Sequence, residues 1–276
     1  MNKEISISEL KEKAKELRLQ IIETTYNAGS GHLGGSLSAA DIFTILYFKY
    51  LNVDPKDPDK IDRDRFVLSK GHTALGYVPT LALAGFIPMD ATKQFNKFLS
   101  GYGIHPDSNK IVGCDASTGS LGHGLPMAVG MCLGLRYQGY NDAKVVCLMG
   151  DGEQHEGSIW EAAMSAHKFK LDNLVAIVDR NKFCIDGPTE DVMPLEPLAD
   201  KYKAFGFEVI ECNGNDMEDL DKAMEKAWNH KGGPICIIAN TEKGFGVKRF
   251  QGHVEWHYGA LDADLKKEAI ADIEAL

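Results

Sequence analysis

The chain has 276 residues, 44% of them hydrophobic, which suits one large α/β core better than two full domains. Forty acidic against thirty basic residues leave a net charge of -10, which repels nucleic acid and disfavours an anionic membrane surface. No apolar stretch approaches the roughly 20 residues that span a bilayer, the amino terminus carries no signal-peptide pattern, and the six cysteines form no C-x-x-C pair, so a reduced, cytoplasmic protein is expected.

Ser6 and Glu9 make a capping-box pattern ahead of Leu10, Ala14, Leu17, Ile21 and Thr25, which predicts an N-terminal helix over 6–28 closed at Gly29. Its end delivers His32 into the glycine-rich turn SGHLGGS, where a histidine taken alone is more often a loop residue than a catalyst. A second helix, expected to open at Ser38, carries Ile42, Phe43, Ile45, Leu46, Tyr47 and Phe48 almost all round, as for a helix buried in a core or a subunit contact. After a Pro/Asp-rich connector, Arg65 to Leu68 reads as a short strand with Ser69-Lys70-Gly71-His72 at its end. Residues 88–113 read as helix followed by loop, with His105 in the loop. The glycine-rich run from Ser117 to Gly124 either lies against a flat ligand or packs the end of the helix expected over 126–135, and it lacks the G-x-G-x-x-G of nicotinamide sites.

The densest chemistry follows. Val145 to Met149 is a buried strand that stops at Gly150-Asp151-Gly152. Ile159, Ala162, Ala163 and Ala166 then mark a helix, and Leu174 to Val178 is a second strand ending in Asp179-Arg180-Asn181. Such a crossover makes parallel neighbours, so Asp151 and Asn181 both emerge at the carboxyl edge, where open α/β sheets bind ligands. One carboxylate, one amide oxygen and a backbone carbonyl near Phe183 form a hard oxygen set suited to magnesium completed by phosphate and water. Taken alone, Gly-Asp-Gly is also what an ordinary turn looks like. Strands at 207–212 and 235–239, a helix from Met217 capped by Asp216, and Lys243-Gly244-Phe245-Gly246 on the ligand edge complete an α/β, doubly wound, mostly parallel sheet flanked by helices. The tail 252–276 carries His253 and His257 and ends in an acidic amphipathic helix, read as a solvated face or a partner contact. Residues 1–276 are taken as one domain.

In this order, SGHLGGSLSAADI, DRDRFVLSKGH, TGSLGHGLPMAVGM, GDGEQHEGSIWEA and Asn181 closely resemble the N-terminal, diphosphate-binding domain of transketolase, from about Lys11 to Leu261. The resemblance implies Asp151, Asn181 and the Phe183 carbonyl as Mg2+ ligands, and Gly152 and His72 at the diphosphate of thiamine diphosphate. It places Gly119, Leu121 and Ile185 at the thiamine rings, and His32 and His105 near the sugar hydroxyls. The late family histidine is His253 or His257, which the spacing does not decide. Glu156 and Glu161 match glutamates that link two sites across a dimer, although a surface pair on a helix looks the same. His123 departs from the glutamine common in that loop.

The implied function is ketol transfer, a two-carbon unit passing from a ketose phosphate to an aldose phosphate, with histidines titrating near neutrality to move hydroxyl protons. The family's pyrimidine-binding and C-terminal domains are absent here. The resemblance therefore implies the N-terminal subunit of a split transketolase, inactive alone and assembled as a heterotetramer with a C-terminal partner. Two rivals remain: one chain of another thiamine diphosphate enzyme, such as a 2-oxo acid dehydrogenase α chain or a deoxyxylulose-phosphate-type synthase, and a non-catalytic cofactor-binding subunit.

Overall fold

The computed structural model describes residues 4–276 and is built on a sheet of five strands. Strands β1 (Arg65–Leu68), β2 (Val145–Gly150), β3 (Leu174–Arg180), β4 (Glu208–Asn213) and β5 (Ile235–Asn240) lie in the order β1-β2-β3-β5-β4. Every pairing is parallel, with Val145 opposite Leu174 and Arg180 opposite Asn240. Both faces are covered, which is why β2, β3 and β5 are continuous apolar runs. Val146, Leu148, Val175 and Ile177 enter one core, and Val145, Cys147, Met149, Ala176 and Val178 enter the other.

In chain order the helices are α1 (Ile7–Ala28), α2 (Leu33–Ser38), α3 (Ala40–Ile45), α4 (Ala74–Leu83), α5 (Gly124–Tyr137), α6 (Gly157–Lys168), the single turn α7 (Thr189–Val192), α8 (Leu198–Ala204), α9 (Met217–Asn229) and α10 (Ala263–Glu274). Residues of α1–α4, α9 and α10 fill the first core, and those of α5, α6 and α8 the second. The chain leaves β2 and β3 toward one face and β4 toward the other. The carboxyl ends of β3 and β5 thus flank the crevice where such sheets bind ligands.

The first helix forms as expected. Ser6 N donates to Glu9 Oε2 at 2.8 Å, Glu9 N donates back to Ser6 Oγ at 3.2 Å, and Gly29 closes the helix at φ 89°. Leu10, Leu17 and Ile21 are fully buried, each contributing about 1.5–3 kcal/mol.

Several expectations are corrected. The second helical segment opens at Leu33, directly after His32, and Ser38 is not its cap. The Ser38 hydroxyl donates instead to Asp179 Oδ2 at 2.7 Å. Residues 88–113 hold only a 3₁₀ turn at Met89–Gln94, because Asn96 and Leu99 take left-handed backbone (φ 55° and 62°) and stop any helix. Helix α4, with Pro79 inside it, has no counterpart in the sequence reading; it is buried nearly all round and shows no polar face. The acidic helix α10 is neither a free face nor a partner contact on its inner side, since Ala269 and Ile273 are buried with α1 in the first core. Among the described residues no helix is long and apolar enough to cross a membrane.

Candidate active site

A cleft of about 370 Å³ opens at the carboxyl edge, over the ends of β2 and β3. One end is rich in oxygen. Asp151 follows β2 and is 1% exposed; its Oδ1 accepts from Gly152 N at 2.8 Å and its Oδ2 from Arg180 Nη1 at 3.0 Å. Burial and the nearby Asp179 carboxylate push the Asp151 pKa up, with Arg180 opposing them, an excess of acid that suits a cation. Asn181, after β3, is held at both ends of its amide: Nδ2 donates to Asp179 Oδ2 and Oδ1 accepts from Phe183 N, each at 3.2 Å. Between them Lys182 takes left-handed backbone (φ 71°), a strained turn that aims its N–H at Asp151.

The other end is cationic. Lys70 and Lys243 are each 1% exposed and line the same cleft. Lys70 forms an ion pair with Asp179 and donates to Gly35 O at 3.0 Å. Burial works against the Asp179 charge, but Lys70 and the hydroxyls of Thr241 and Ser38 outweigh it and hold its pKa below the usual range. Lys243 approaches His257 Nδ1 at 3.0 Å and the Phe183 carbonyl at 3.4 Å, and burial brings its pKa down to about 8.

Three imidazoles form the wall beside these lysines. Ring centroids are 5.0 Å apart for His32 and His72, and 5.4 Å apart for both His32–His257 and His72–His257. Burial, then the positive neighbours, lowers His32 to about 4 and His257 to about 3, and drives His72 well below its ordinary value. All three are therefore neutral at pH 7, which corrects the expectation that they titrate near neutrality. His32 Nδ1 is buried without a hydrogen-bond partner, a polar atom left for a ligand.

Of the residues singled out from the sequence, His32, His72, Gly119, Leu121, Asp151, Gly152, Glu156, Asn181, Phe183, Ile185 and His257 line this one cleft. His105 is exposed, but its ring lies against Gly119, where an added Cβ would come within 3.0 Å of it. The structure does not bring His253 or Glu161 to the cleft. His253 is exposed with Glu255 at 3.5 Å, whereas the 3₁₀ turn Val254–His257 carries His257 inward; Glu161 is exposed on α6. His123 caps α5 at the surface, its Nδ1 at 3.2 Å from Leu121 O.

The sequence reading assigned no role in the site to Lys70, Lys243, Asp179 or Glu153. Buried Glu153 accepts from Gly122 N at 2.8 Å, Gly150 N at 3.0 Å and the Ser69 hydroxyl, tying the glycine-rich loop to the end of β2. Gly122 is required there, since at φ 81° an added Cβ would meet Ser158 Oγ at 2.5 Å. A larger depression of about 890 Å³ runs beside the cleft along β4 and β5, but its rim of Glu211, Asp216 and Glu242 does not suit an anion.

The donor set fits a metal diphosphate. Hard oxygens lie at one end, two buried ammonium groups at the other, and Gly152 lies so close to Cys184 that an added Cβ would come within 2.8 Å of its Cβ.

Comparisons with known proteins agree with this geometry. The family model for the thiamine diphosphate binding domain of transketolase matches residues 10–273. One of the two named subunits of an apulose-4-phosphate transketolase from Actinobacillus succinogenes is 42% identical over 271 residues, 98% of each chain. Its namesake from Phocaeicola vulgatus is 40% identical over 269 residues, 98% of this chain and 95% of that one. Transketolase of Campylobacter jejuni superposes with a TM-score of 0.91 at 33% identity, covering 98% of this chain and 43% of its own. The chain thus spans about two fifths of that full-length transketolase and nearly all of the separate subunits, and it belongs to the transketolase family as a thiamine diphosphate-binding domain.

Proposed function

We propose that this chain, as a single domain, is the N-terminal subunit of a two-polypeptide transketolase that moves a two-carbon ketol unit from a ketose phosphate to an aldose phosphate. The observation that carries the reading is the one cleft with oxygen ligands at one end, Lys70 and Lys243 at the other, and three neutral imidazoles along its wall.

Asp151, Asn181 and the Phe183 carbonyl would hold Mg2+, while Lys70, Lys243, His72 and the Gly152 backbone would hold the diphosphate. Thiamine diphosphate, when bound, supplies the electron sink for breaking the bond beside the ketose carbonyl. A neutral imidazole offers one N–H donor and one acceptor, so His32, His105 and His257 can hold sugar hydroxyls and take a proton from one as the bond breaks. Lys243 donates to His257 Nδ1, which leaves the proton of that ring on Nε2. Leu121 and Ile185, the latter 65% exposed, offer apolar surface to the thiamine rings.

Relatives of the same length that are named as transketolase subunits support a partner that completes the cleft, and we take that partner to carry the pyrimidine-binding domain. Self-association into a heterotetramer is supported by the outer face of α5 and α6. Gly130 and Gly134 open onto free space there, Tyr137 and Met164 are 94% and 54% exposed, and Glu161 lies one helical turn from Met164. The buried free thiols fit a cytoplasmic enzyme.

The test is ketol transfer to ribose 5-phosphate with thiamine diphosphate and Mg2+, comparing the chain alone with the chain plus partner. Xylulose 5-phosphate and apulose 4-phosphate would serve as separate donors, the second suggested by the named relatives. Turnover only in the mixture is expected. Turnover of pyruvate in its place would favour a 2-oxo acid enzyme.

A further inference from the structure

Arg180 stands between the two side chains proposed to hold the metal, and its contacts run in two directions. Toward the cleft, Nη1 donates to Asp151 Oδ2 at 3.0 Å. Away from it, the guanidinium donates to Thr189 Oγ1 at 2.7 Å, to Glu190 Oε1 at 2.9 Å, and to Glu196 Oε1 from Nη2 at 3.0 Å and Nε at 3.2 Å. The Arg180 and Asp151 side chains are 5% and 2% exposed, whereas those of Glu190 and Glu196 are 42% and 55% exposed. One buried cation is thus shared between a buried carboxylate and two at the surface.

The same contacts fix part of the cleft wall. Cys184, Ile185, Asp186 and Val192 line the cleft, and the glutamates anchor the chain that follows, with Glu190 Oε1 accepting from Leu195 N at 3.1 Å and Glu196 Oε2 from Leu198 N at 2.9 Å. A divalent cation that binds Asp151 must compete with Arg180 for the charge of that carboxylate. Resting on the proposal that this cleft takes Mg2+, we infer that Arg180 is a positioning residue that sets metal affinity. Glu190 and Glu196 set how strongly it acts by drawing its positive charge away from Asp151. Neutralising both glutamates leaves Arg180 with Asp151 as its one anionic partner, which tightens that pair and weakens the metal.

A double-mutant cycle separates this from a direct effect of surface charge. Glu190→Gln with Glu196→Gln keeps an oxygen for the backbone donors, and the pair is made in the wild-type and Arg180→Met backgrounds. At fixed saturating thiamine diphosphate and low salt, free Mg2+ at half-maximal change in tryptophan fluorescence is read for the full chain, with Trp256 beside His257 as a reporter. The glutamine pair raises that Mg2+ concentration by about threefold or more in the wild-type background and leaves it unchanged in Arg180→Met. A purely structural role for the glutamates would lower Tm in both backgrounds without this non-additivity. An equal shift in both backgrounds overturns the inference and leaves the metal site standing, because the glutamates would then act through space. No Mg2+-dependent change in the wild type overturns the metal site and the inference together.

Discussion

Two ion pairs of almost equal burial lie in different parts of this molecule. Arg18 and Asp41 join α1 to α3 with side chains 3% and 7% exposed; Arg18 Nη1 donates to Asp41 Oδ1 at 3.1 Å, and Asn215 Nδ2 donates to Asp41 Oδ2 at 2.9 Å. Lys70 and Asp179 lie beneath the cleft, 2% and 0% exposed. Both pairs pay a desolvation penalty that their attraction must offset. The first touches nothing in the cleft, and Arg18 Nε is buried without a partner. Asp179, by contrast, also holds the Asn181 amide, and Lys70 itself lines the cleft. Burial alone therefore does not mark a functional charge; what its partners touch does.

The comparison is broken most severely by removing one member of each pair. Asp41→Ala and Asp179→Ala should each cost about 3–5 kcal/mol, because each strands a buried cation. Thermal unfolding will read that loss in both. Thiamine diphosphate titration of the folded fraction should then separate them, with normal affinity for Asp41→Ala and none measurable for Asp179→Ala.

Replacing both partners sharpens the contrast. Arg18→Met with Asp41→Leu should leave stability unchanged or raise it by about 1–4 kcal/mol, as seen when buried pairs give way to apolar contacts. The matching change at Lys70 and Asp179 should recover stability and still abolish cofactor binding. Recovery of binding there would remove Lys70 from the site.

A smaller effect follows from the imidazoles. Unfolded histidine titrates near 6.5, whereas folded His32 and His257 titrate at about 4 and about 3. The unfolded chain takes up protons first, so stability is whole above about pH 6.5 and is lost as pH falls toward about 4 for His32 and about 3 for His257. In His257→Asn, Tm should fall less steeply with acid over that window than in the wild type. The smallest effect belongs to an exposed pair, Lys13 and Glu16 at 2.9 Å, where Lys13→Ala should change stability by less than about 1 kcal/mol.

Asp151 and Asn181 were legible in the sequence because each follows a continuous apolar strand, and parallel pairing then forces both to one edge. Lys70, Lys243 and Asp179 were not. Their roles come from burial by segments far apart in the chain, such as Ser38 and Thr241 converging on Asp179, and no local period signals that. The choice between His253 and His257 turned on a single 3₁₀ turn, which four residues of sequence do not disclose. Helix α4 escaped notice because a helix buried all round has no amphipathic stripe. The pKa values of the histidines likewise depend on two lysines that converge only in the fold.

The most direct test is calorimetric titration of thiamine diphosphate into the chain assembled with its partner, with Mg2+ and with a chelator, for the wild type and Asp151→Ala. Binding that requires Mg2+ in the wild type and vanishes in Asp151→Ala is the predicted result. Equal affinity under all four conditions would contradict the assignment of the cleft.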